Sequence, residues 1–143
     1  MNSNPVTIPI TETFGGALRL MLERKVRVLP VVDANGVYKG IFDFHDVWKM
    51  LLPKAAMLGM SSLTDLSFVS DAQDILREKL AEAGERPVGE FLDVPVAPVH
   101  PETPVKEAML LFYQHDGDIP VVEKKTKRLV GIVSPWEILD ALR

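Results

Sequence analysis

The stretch Pro30-Val31-Val32-Asp33, continued by Gly40-Ile41-Phe42-Asp43-Phe44-His45-Asp46, decides the fold of this chain because it occurs a second time. The second copy reads Pro120-Val121-Val122-Glu123, continued by Gly131-Ile132-Val133-Ser134-Pro135-Trp136-Glu137. Two valine-rich runs joined by a turn such as Asn35-Gly36 are typical of a β-hairpin. Each copy therefore predicts a hairpin that runs directly into the first turn of a helix.

A helix is also predicted before each hairpin. Its apolar face recurs 91 positions later, as Phe14, Ala17, Leu18 and Met21 in the first copy and as Val105, Ala108, Met109 and Phe112 in the second. The hairpin prolines repeat at an offset of 90 and the glycines at an offset of 91. One residue is therefore lost before the second hairpin and one is gained in its turn, residues 124–127. Insertions confined to loops indicate a structural duplication.

The two halves are expected to share one structure. At about 45 residues each, they are too small to bury a good core alone, so we expect them to pack against each other around a pseudo-two-fold axis. The cleft between them is then the natural ligand site.

The segments outside the hairpins carry shorter signals, from which we expect the following elements. In copy one they are a leading edge strand over Pro5–Ile10 and a helix capped by Thr11 or Thr13. Pro53 ends the second helix or begins a new segment, and it is followed by a helical extension over Lys54–Met60, a loop or short strand over Ser61–Val69, and a helix over Asp71–Ala83 that starts at the capping box Ser70–Gln73. In copy two they are one helical turn over Pro87–Leu92, a second leading strand over Val94–Val99, and a helix capped by Thr103 with Pro104 at its first position.

Composition narrows the classes of function. The 16 basic and 20 acidic residues give a formal net charge of −4, which argues against a non-specific nucleic-acid surface. The chain has no cysteine and its start lacks a basic segment followed by an apolar run, so we expect a cytoplasmic protein. No apolar run approaches the ~20 residues that span a bilayer, so direct membrane insertion is not expected.

Catalytic and metal motifs are missing from the sequence. We find no nucleophile with a base and an orienting group and no glycine-rich phosphate loop, so we expect no catalytic residues and no enzyme. The three histidines lack metal-ligand spacing, so no metal site is expected. The basic turn Lys124–Arg128 reads as a soluble hairpin tip. Trp48 and Trp136 are expected in the core or in a dimer interface rather than stacked on a base.

Each copy resembles a CBS domain, and the pair resembles a Bateman module. The resemblance rests on the two strands and junctions quoted above, on the preceding helices and on Val88-Gly89-Glu90-Phe91-Leu92, which is similar to the lead-in of a second CBS domain. It implies a mixed α/β (α+β) fold of tandem CBS repeats related by a pseudo-two-fold axis. We place copy one at residues 5–52, a helical insert at 53–86 and copy two at 87–143.

The resemblance also implies a function. CBS pairs typically bind an adenosine derivative (AMP, ADP, ATP or S-adenosylmethionine) between the two copies, form homodimers, and regulate a partner or attached domain such as a transporter or an enzyme; no cofactor is required. In the family an acid at the junction binds the ribose and a hydroxyl helps to hold phosphate at the helix start. The corresponding site residues are Asp46 and Glu137 for the ribose, Asp43 and Ser134 at the helix starts, and Ile8, Leu29, Pro30, Val99, Ile119 and Pro120 around the base. A bound phosphate would also need a cation, for which Arg27, His45 and His100 are the candidate ligand contacts, although residues of these types are more often exposed to solvent than in contact with a ligand.

The junctions depart from the family pattern. Asp43 stands where a hydroxyl is expected, and its carboxylate would repel phosphate unless a cation intervenes. Glu137 is one methylene longer than the expected aspartate, and Ser134-Pro135-Trp136-Glu137 also reads as a capping box, which we favour for Glu137. For Asp46 we favour ligand binding, because Asp43 alone can cap the helix.

Two functions remain open at this point. The first is an adenosine-ligand sensor in which at most one cleft binds well, with Asp46 on the ribose. The alternative is a ligand-free dimerisation or protein-interaction module with degenerate clefts, which the insert and the altered junctions favour.

Overall fold

The computed structural model describes residues 1–52, 66–92, 97–115 and 117–143. Its elements, in chain order, are β1 (Ile8–Pro9), α1 (Phe14–Arg24), β2 (Val28–Val32), β3 (Tyr38–Asp43), α2 (Phe44–Leu51), α3 (Leu66–Ala83), a 3₁₀ turn (Val88–Glu90), α4 (Val105–Gln114), β4 (Ile119–Val122), β5 (Leu129–Val133) and α5 (Pro135–Ala141). Both predicted hairpins, the helices that flank them and the helical turn over Pro87–Leu92 are therefore confirmed.

Each copy builds its sheet on the same plan. In copy one β2 pairs with β3 in an antiparallel sense and with the short β1 in a parallel sense, Ile8 lying beside Val31. In copy two β4 pairs with β5, and Val99 makes the corresponding parallel bridge to Val121. The predicted edge strand is thus confirmed in copy one, whereas in copy two the described part of the predicted strand Val94–Val99 forms a single bridge at Val99. The register shifts at the same step in both hairpins, between the last two valines of β2 and of β4.

The pseudo-two-fold axis passes between the two hairpin tips. Val37 bridges Arg128, and these positions are 91 apart, so each is the counterpart of the other. The Tyr38 N–H donates to the Lys127 carbonyl at 3.0 Å, and the Leu129 N–H donates to the Gly36 carbonyl at 3.0 Å. Exchanging the two copies converts one bond into the other, which is the signature of two-fold symmetry.

The core of copy one is larger than that of copy two. The buried residues of copy one are Ile8, Phe14, Ala17, Met21, Leu29, Val31, Phe42, Val47, Ala83 and Val88. The buried cluster of copy two consists of Val99, Ile119, Val121 and Val133, and Ala108, Val122 and Ile132 are buried outside that cluster. Helix α3 contributes Ala83 to the first core and contacts α1 and α2. Val88 was assigned to copy two from the sequence, but its side chain is buried in the core of copy one. The first residues of copy two therefore complete the core of copy one.

The start of α1 has the cap that the sequence predicts, whereas the starts of α4 and α3 differ from the prediction. Thr13 caps α1, its hydroxyl accepting the Gly16 N–H at 3.0 Å. Thr103 does not cap α4, because its hydroxyl accepts the His100 N–H at 2.8 Å instead, and the helix begins after Pro104. Helix α3 starts at Leu66 rather than Asp71, which corrects the loop or strand expected at residues 66–69. A capping box marks where a helix can start, but residues 66–69 contain no glycine or proline to stop it from extending.

Other expectations concern exposed faces or lie outside the described residues. Val105 and Met109 belong to the predicted apolar face of α4, yet they are 43% and 44% exposed, because none of the described elements covers α4 as α3 covers α1. Trp48 and Trp136 are 54% and 81% exposed, so the prediction that they pack in the core is wrong for both. Pro53 and the segments 54–65 and 94–96 lie outside the described residues. Within the described ranges, none of the helices has the length and apolar character needed to cross a membrane.

Candidate functional site

Junction one is the start of α2, residues 43–46, where the hairpin of copy one becomes a helix. Asp43 is the N-cap, and one of its carboxylate oxygens accepts the Asp46 N–H at 3.3 Å. Asp46 reaches back in turn, its Oδ2 accepting the Asp43 N–H at 2.9 Å. Both acids therefore form a capping box, whereas the sequence argument left capping to Asp43 alone. Asp46 is 8% exposed, and hydrogen bonds of this kind fix its carboxylate at the helix start.

Junction two is the start of α5, residues 134–137. The Ser134 N–H donates to Glu137 Oε2 at 2.8 Å, and Pro135 takes the first helical position. The predicted capping role of Glu137 is thus confirmed. Its other oxygen lies 3.0 Å from the Met1 amino group. Burial pushes the pKa of Glu137 up, but the Ser134 N–H and the Met1 ammonium outweigh it and hold that pKa below the usual value.

Residues of each copy lie against the last strand of the hairpin of the other copy, a few residues before each junction. Asn2 pairs with Ile132 through two backbone hydrogen bonds of 2.9 and 3.0 Å, beside Gly131. The counterpart of Met1 is Leu92, whose side chain lies against Gly40. A Cβ on Gly131 would come within 2.5 Å of the Asn2 carbonyl, so glycine is what allows this close approach. The two copies therefore contact each other at Gly40 and at Gly131, on the strands that lead into the two junctions.

Charged residues of the two copies also approach each other near junction two. Burial raises the pKa of Asp118, Arg27 of copy one lowers it, and Glu137 raises it further. Arg27 was predicted as a ligand contact, and the structure brings its charge close to that of Asp118. Sequence reasoning missed Asp118, although a signal existed: an acid stands immediately before β4, where copy one has Val28.

A pocket of about 220 Å³ lies on copy two. Its lining residues are Ala97, Leu111, Gln114, His115 and Ile119. It is bounded by α4 on one side and by the segment before β4 on the other. Of the residues predicted to surround a base, Ile119 is the one that reaches this pocket.

The other predicted base contacts pack in the cores. Ile8 and Leu29 belong to the core of copy one, and Val99 belongs to that of copy two; Pro30 and Pro120 are fully buried. His100 forms a hydrogen bond of 2.9 Å between its Nδ1 and the Val122 carbonyl, whereas His45 is exposed at junction one. Among the described residues, no three acidic, histidine or cysteine side chains are grouped to hold a metal ion.

Sequence comparison identifies one family. The model of the CBS domain matches residues 1–47 and 88–143 of the chain. Among curated proteins, a CBS domain-containing protein of Dictyostelium discoideum is 28% identical over 143 residues, which cover 99% of this chain and 87% of that relative.

Solved structures share the architecture. CBSX2 in complex with AMP superposes with a TM-score of 0.70 at 19% identity, over 99% of this chain and 91% of that one. A Methanocaldococcus jannaschii protein described as an archaeal homologue of γ-AMPK superposes with a TM-score of 0.74 at 22% identity, over 100% of this chain and 46% of that one. These likenesses confirm the expected α+β fold of tandem repeats.

Proposed function

Because the chain belongs to the CBS domain family and carries two copies of that domain, we propose that it is a regulatory module that binds an adenosine derivative between its copies. Binding would be passed on to a partner protein or attached domain, a transporter or an enzyme, in the cytoplasm. The role proposed is regulatory rather than catalytic, and it requires no cofactor.

The observation that carries this proposal is the contact between the copies on the strands that lead into the junctions: Asn2 pairs with Ile132, and Leu92 lies against Gly40. A ligand seated at a junction would contact side chains from both copies at once. It would therefore prefer one arrangement of the two copies, and differential affinity of this kind is what lets a ligand shift a conformational equilibrium. CBSX2, which shares the fold, is solved with AMP, and this supports the class of ligand.

Asp46 is the residue that we propose for ribose recognition. A carboxylate offers about four acceptor positions, which suits a vicinal diol and leaves room for the bond from the Asp43 N–H. Junction two is the weaker candidate because Glu137 already accepts the Ser134 N–H and pairs with the Met1 amino group.

Calorimetric titration with adenosine, AMP, ATP and S-adenosylmethionine tests this assignment. We expect Asp46→Ala to weaken binding of the preferred compound at least tenfold, as removal of a hydrogen bond to a charged group does at about 1.5–3 kcal/mol. Asp46→Asn keeps an oxygen that can accept the Asp43 N–H, so a loss of affinity in this variant reports on contact with the ligand rather than on capping. Glu137→Gln is the matched control at junction two. Unchanged affinity in Asp46→Ala would remove Asp46 from the site.

The alternative function, a dimerisation or interaction module without a ligand, has support from an exposed apolar face. The large hydrophobic residues exposed on α4 and α5 are Val105, Met109, Leu110, Tyr113, Trp136 and Leu139. Exposed apolar surface of this extent on one side marks interaction sites. We propose that a second copy of the chain binds this face, whether or not the clefts hold a ligand.

Two measurements separate these functions. A ligand that binds the native state raises the melting temperature, so a shift with an adenosine compound supports the sensor, and no shift with any of them favours the interaction module. Sedimentation tests the dimer: Trp136→Glu should give monomers, whereas Ile75→Glu, at a 58% exposed position on α3, should leave the assembly unchanged. A wild-type chain that is monomeric at tens of micromolar contradicts the dimer.

A further inference from the structure

The pocket on copy two lies beside the segment that leads from α4 into β4, and its volume is about 220 Å³. Among the described residues that line it, Ala97, Leu111 and Ile119 are apolar, whereas Gln114 and His115 carry groups that can form hydrogen bonds. Sites that enclose a whole drug-sized ligand typically have volumes of ~300–1,000 Å³, so this pocket suits one ring system of a larger ligand. A flat ring with hydrogen-bonding groups on its edge, such as a purine base, matches this lining.

The corresponding place in copy one is filled by the chain itself. Val6 stands 91 positions before Ala97, and its side chain is half-buried against the core of copy one. Val26, in the segment between α1 and β2, is half-buried against the same core. Valine carries two more methyl groups than alanine, so Ala97 lacks side-chain volume that copy one packs at the position of Val6.

The segment after α4 also lacks a residue that could take the place of Val26. Copy one has eight residues between Met21 and Pro30, whereas copy two has seven between Phe112 and Pro120. Residues 114–118 consist of one glycine and four residues with polar side chains. The shorter and polar segment, together with Ala97, therefore accounts for the open pocket on copy two.

The segment that bounds the pocket also approaches copy one. Asp118 is next to Ile119 in the chain, and its charge interacts with that of Arg27. A ligand whose ring lies in the pocket would therefore have its remaining groups close to the contact between the two copies.

We propose that the chain binds one adenosyl ligand, that the base of this ligand occupies the pocket of copy two, and that Val6 and Val26 close the corresponding place in copy one. This placement rests on the proposed function, because it takes the ligand to be an adenosyl compound. Contact of the base with Ala97 and Ile119 removes apolar surface from water. The Gln114 amide offers a donor and an acceptor, which is the pair that glutamine uses to bind N6 and N7 of adenine.

An exchange of residues between positions 6 and 97 tests the placement. Ala97→Val gives copy two the residue of copy one and fills the pocket, and because Ala97 is exposed, valine can be added there without disturbing the core. Ala97→Gly keeps the pocket open and is the control at the same position. Val6→Ala makes the reverse change in copy one. Melting curves without ligand check that every variant is folded.

The experiment is calorimetric titration of the full chain with adenosine, AMP, ATP and S-adenosylmethionine. We expect one ligand to bind per chain. For the compound that binds most tightly, Ala97→Val should weaken binding at least about tenfold, because the added methyl groups occupy the space of the base. Ala97→Gly and Val6→Ala should each change the affinity by less than about threefold, since neither adds volume to the pocket.

The outcomes distinguish the placement of the base from the proposed function. Equal affinity of wild type and Ala97→Val for the preferred compound overturns the placement and leaves the proposed function standing. Two ligands per chain, or a loss of affinity in Val6→Ala as large as that in Ala97→Val, overturns the placement in the same way. Failure of all four compounds to bind the wild-type chain overturns the proposed function and the placement with it.

Discussion

Copy one and copy two share a fold unit but complete their cores by different means. Helix α3 contacts α1 and α2, Ala83 and Val88 fill the first core, and the Gly15 N–H donates to the Gly84 carbonyl at 3.0 Å. No described element covers α4 and α5 of copy two in this way, and Tyr113 is 89% exposed there. The comparison shows that two copies of one fold unit can differ in how their helices are covered: α3 covers those of copy one, whereas no described residue of the chain covers α4 and α5 in the same way.

The strongest test of this difference compares counterparts on α1 and α4. Phe14 is fully buried, so Phe14→Ala should lower the free energy of unfolding by about 3–5 kcal/mol. Its counterpart Val105 is 43% exposed, and Val105→Ala should change it by less than about 0.5 kcal/mol. Urea unfolding at submicromolar protein measures both. Equal losses would mean that the face of α4 is covered as well as that of α1.

The pairing of Asn2 with Ile132 predicts the next largest change in stability. Gly131→Ala places a Cβ 2.5 Å from the Asn2 carbonyl oxygen, a backbone atom that cannot rotate away, and should cost about 1–3 kcal/mol. The Ile132 amide, which donates to Asn2 at 3.0 Å, should then lose protection from hydrogen exchange. Gly40→Ala is the control for the contact: its neighbour is the flexible end of Leu92, and although alanine is strained at the φ of 150° found there, Ile132 should remain as protected as other amides of copy two. If the Ile132 amide of Gly131→Ala stays as protected from hydrogen exchange as in wild type, the pairing of Asn2 with Ile132 is contradicted.

The hairpin tips at the pseudo-two-fold axis predict changes of opposite sign. Gly36 and its counterpart Lys127 both adopt left-handed backbone, with φ of 80° and 63°. Gly36→Ala should lower the free energy of unfolding by about 1 kcal/mol, because side chains disfavour this conformation. Lys127→Gly should raise it by about 0.5 kcal/mol, since the relief of strain exceeds the entropy that glycine loses. Thermal melts measure both. A loss of stability in Lys127→Gly would mean that the lysine side chain itself stabilises the tip.

The smallest effect concerns Asp118 and pH. Burial raises the pKa of Asp118 above its ordinary value of 3.8, so the folded state holds this proton more tightly than the unfolded state. Stability is therefore lost as the pH rises above that ordinary value, and ionised Asp118 remains a cost at neutral pH. Asp118→Asn should stabilise the protein at pH 7 by less than about 1 kcal/mol and have no effect at pH 3. If Asp118→Asn stabilised the protein more at pH 3 than at pH 7, burial could not be the cause of the raised pKa of Asp118.

Part of the site was predictable and part was not. The capping box at Ser134–Glu137 is local, since donor and acceptor lie three residues apart, and the sequence showed it. The second half of the box at Asp46 was missed because ligand binding and capping use the same carboxylate. The acid before β4 was visible in the sequence, but the burial of Asp118 and its approach to Arg27 were missed because they depend on residues far away in the chain.

The sequence by itself determined the duplication, both hairpins, their junctions with the following helices and the α+β class. These features follow from turn chemistry and from apolar periodicity, which act over a few residues. Only the tertiary structure decided that Val88 seals the core of copy one, that Asn2 pairs with Ile132, and that α3 covers one pair of helices and leaves the other exposed. Those outcomes depend on which distant surfaces meet, and burial at a contact is a property of both partners rather than of either stretch alone.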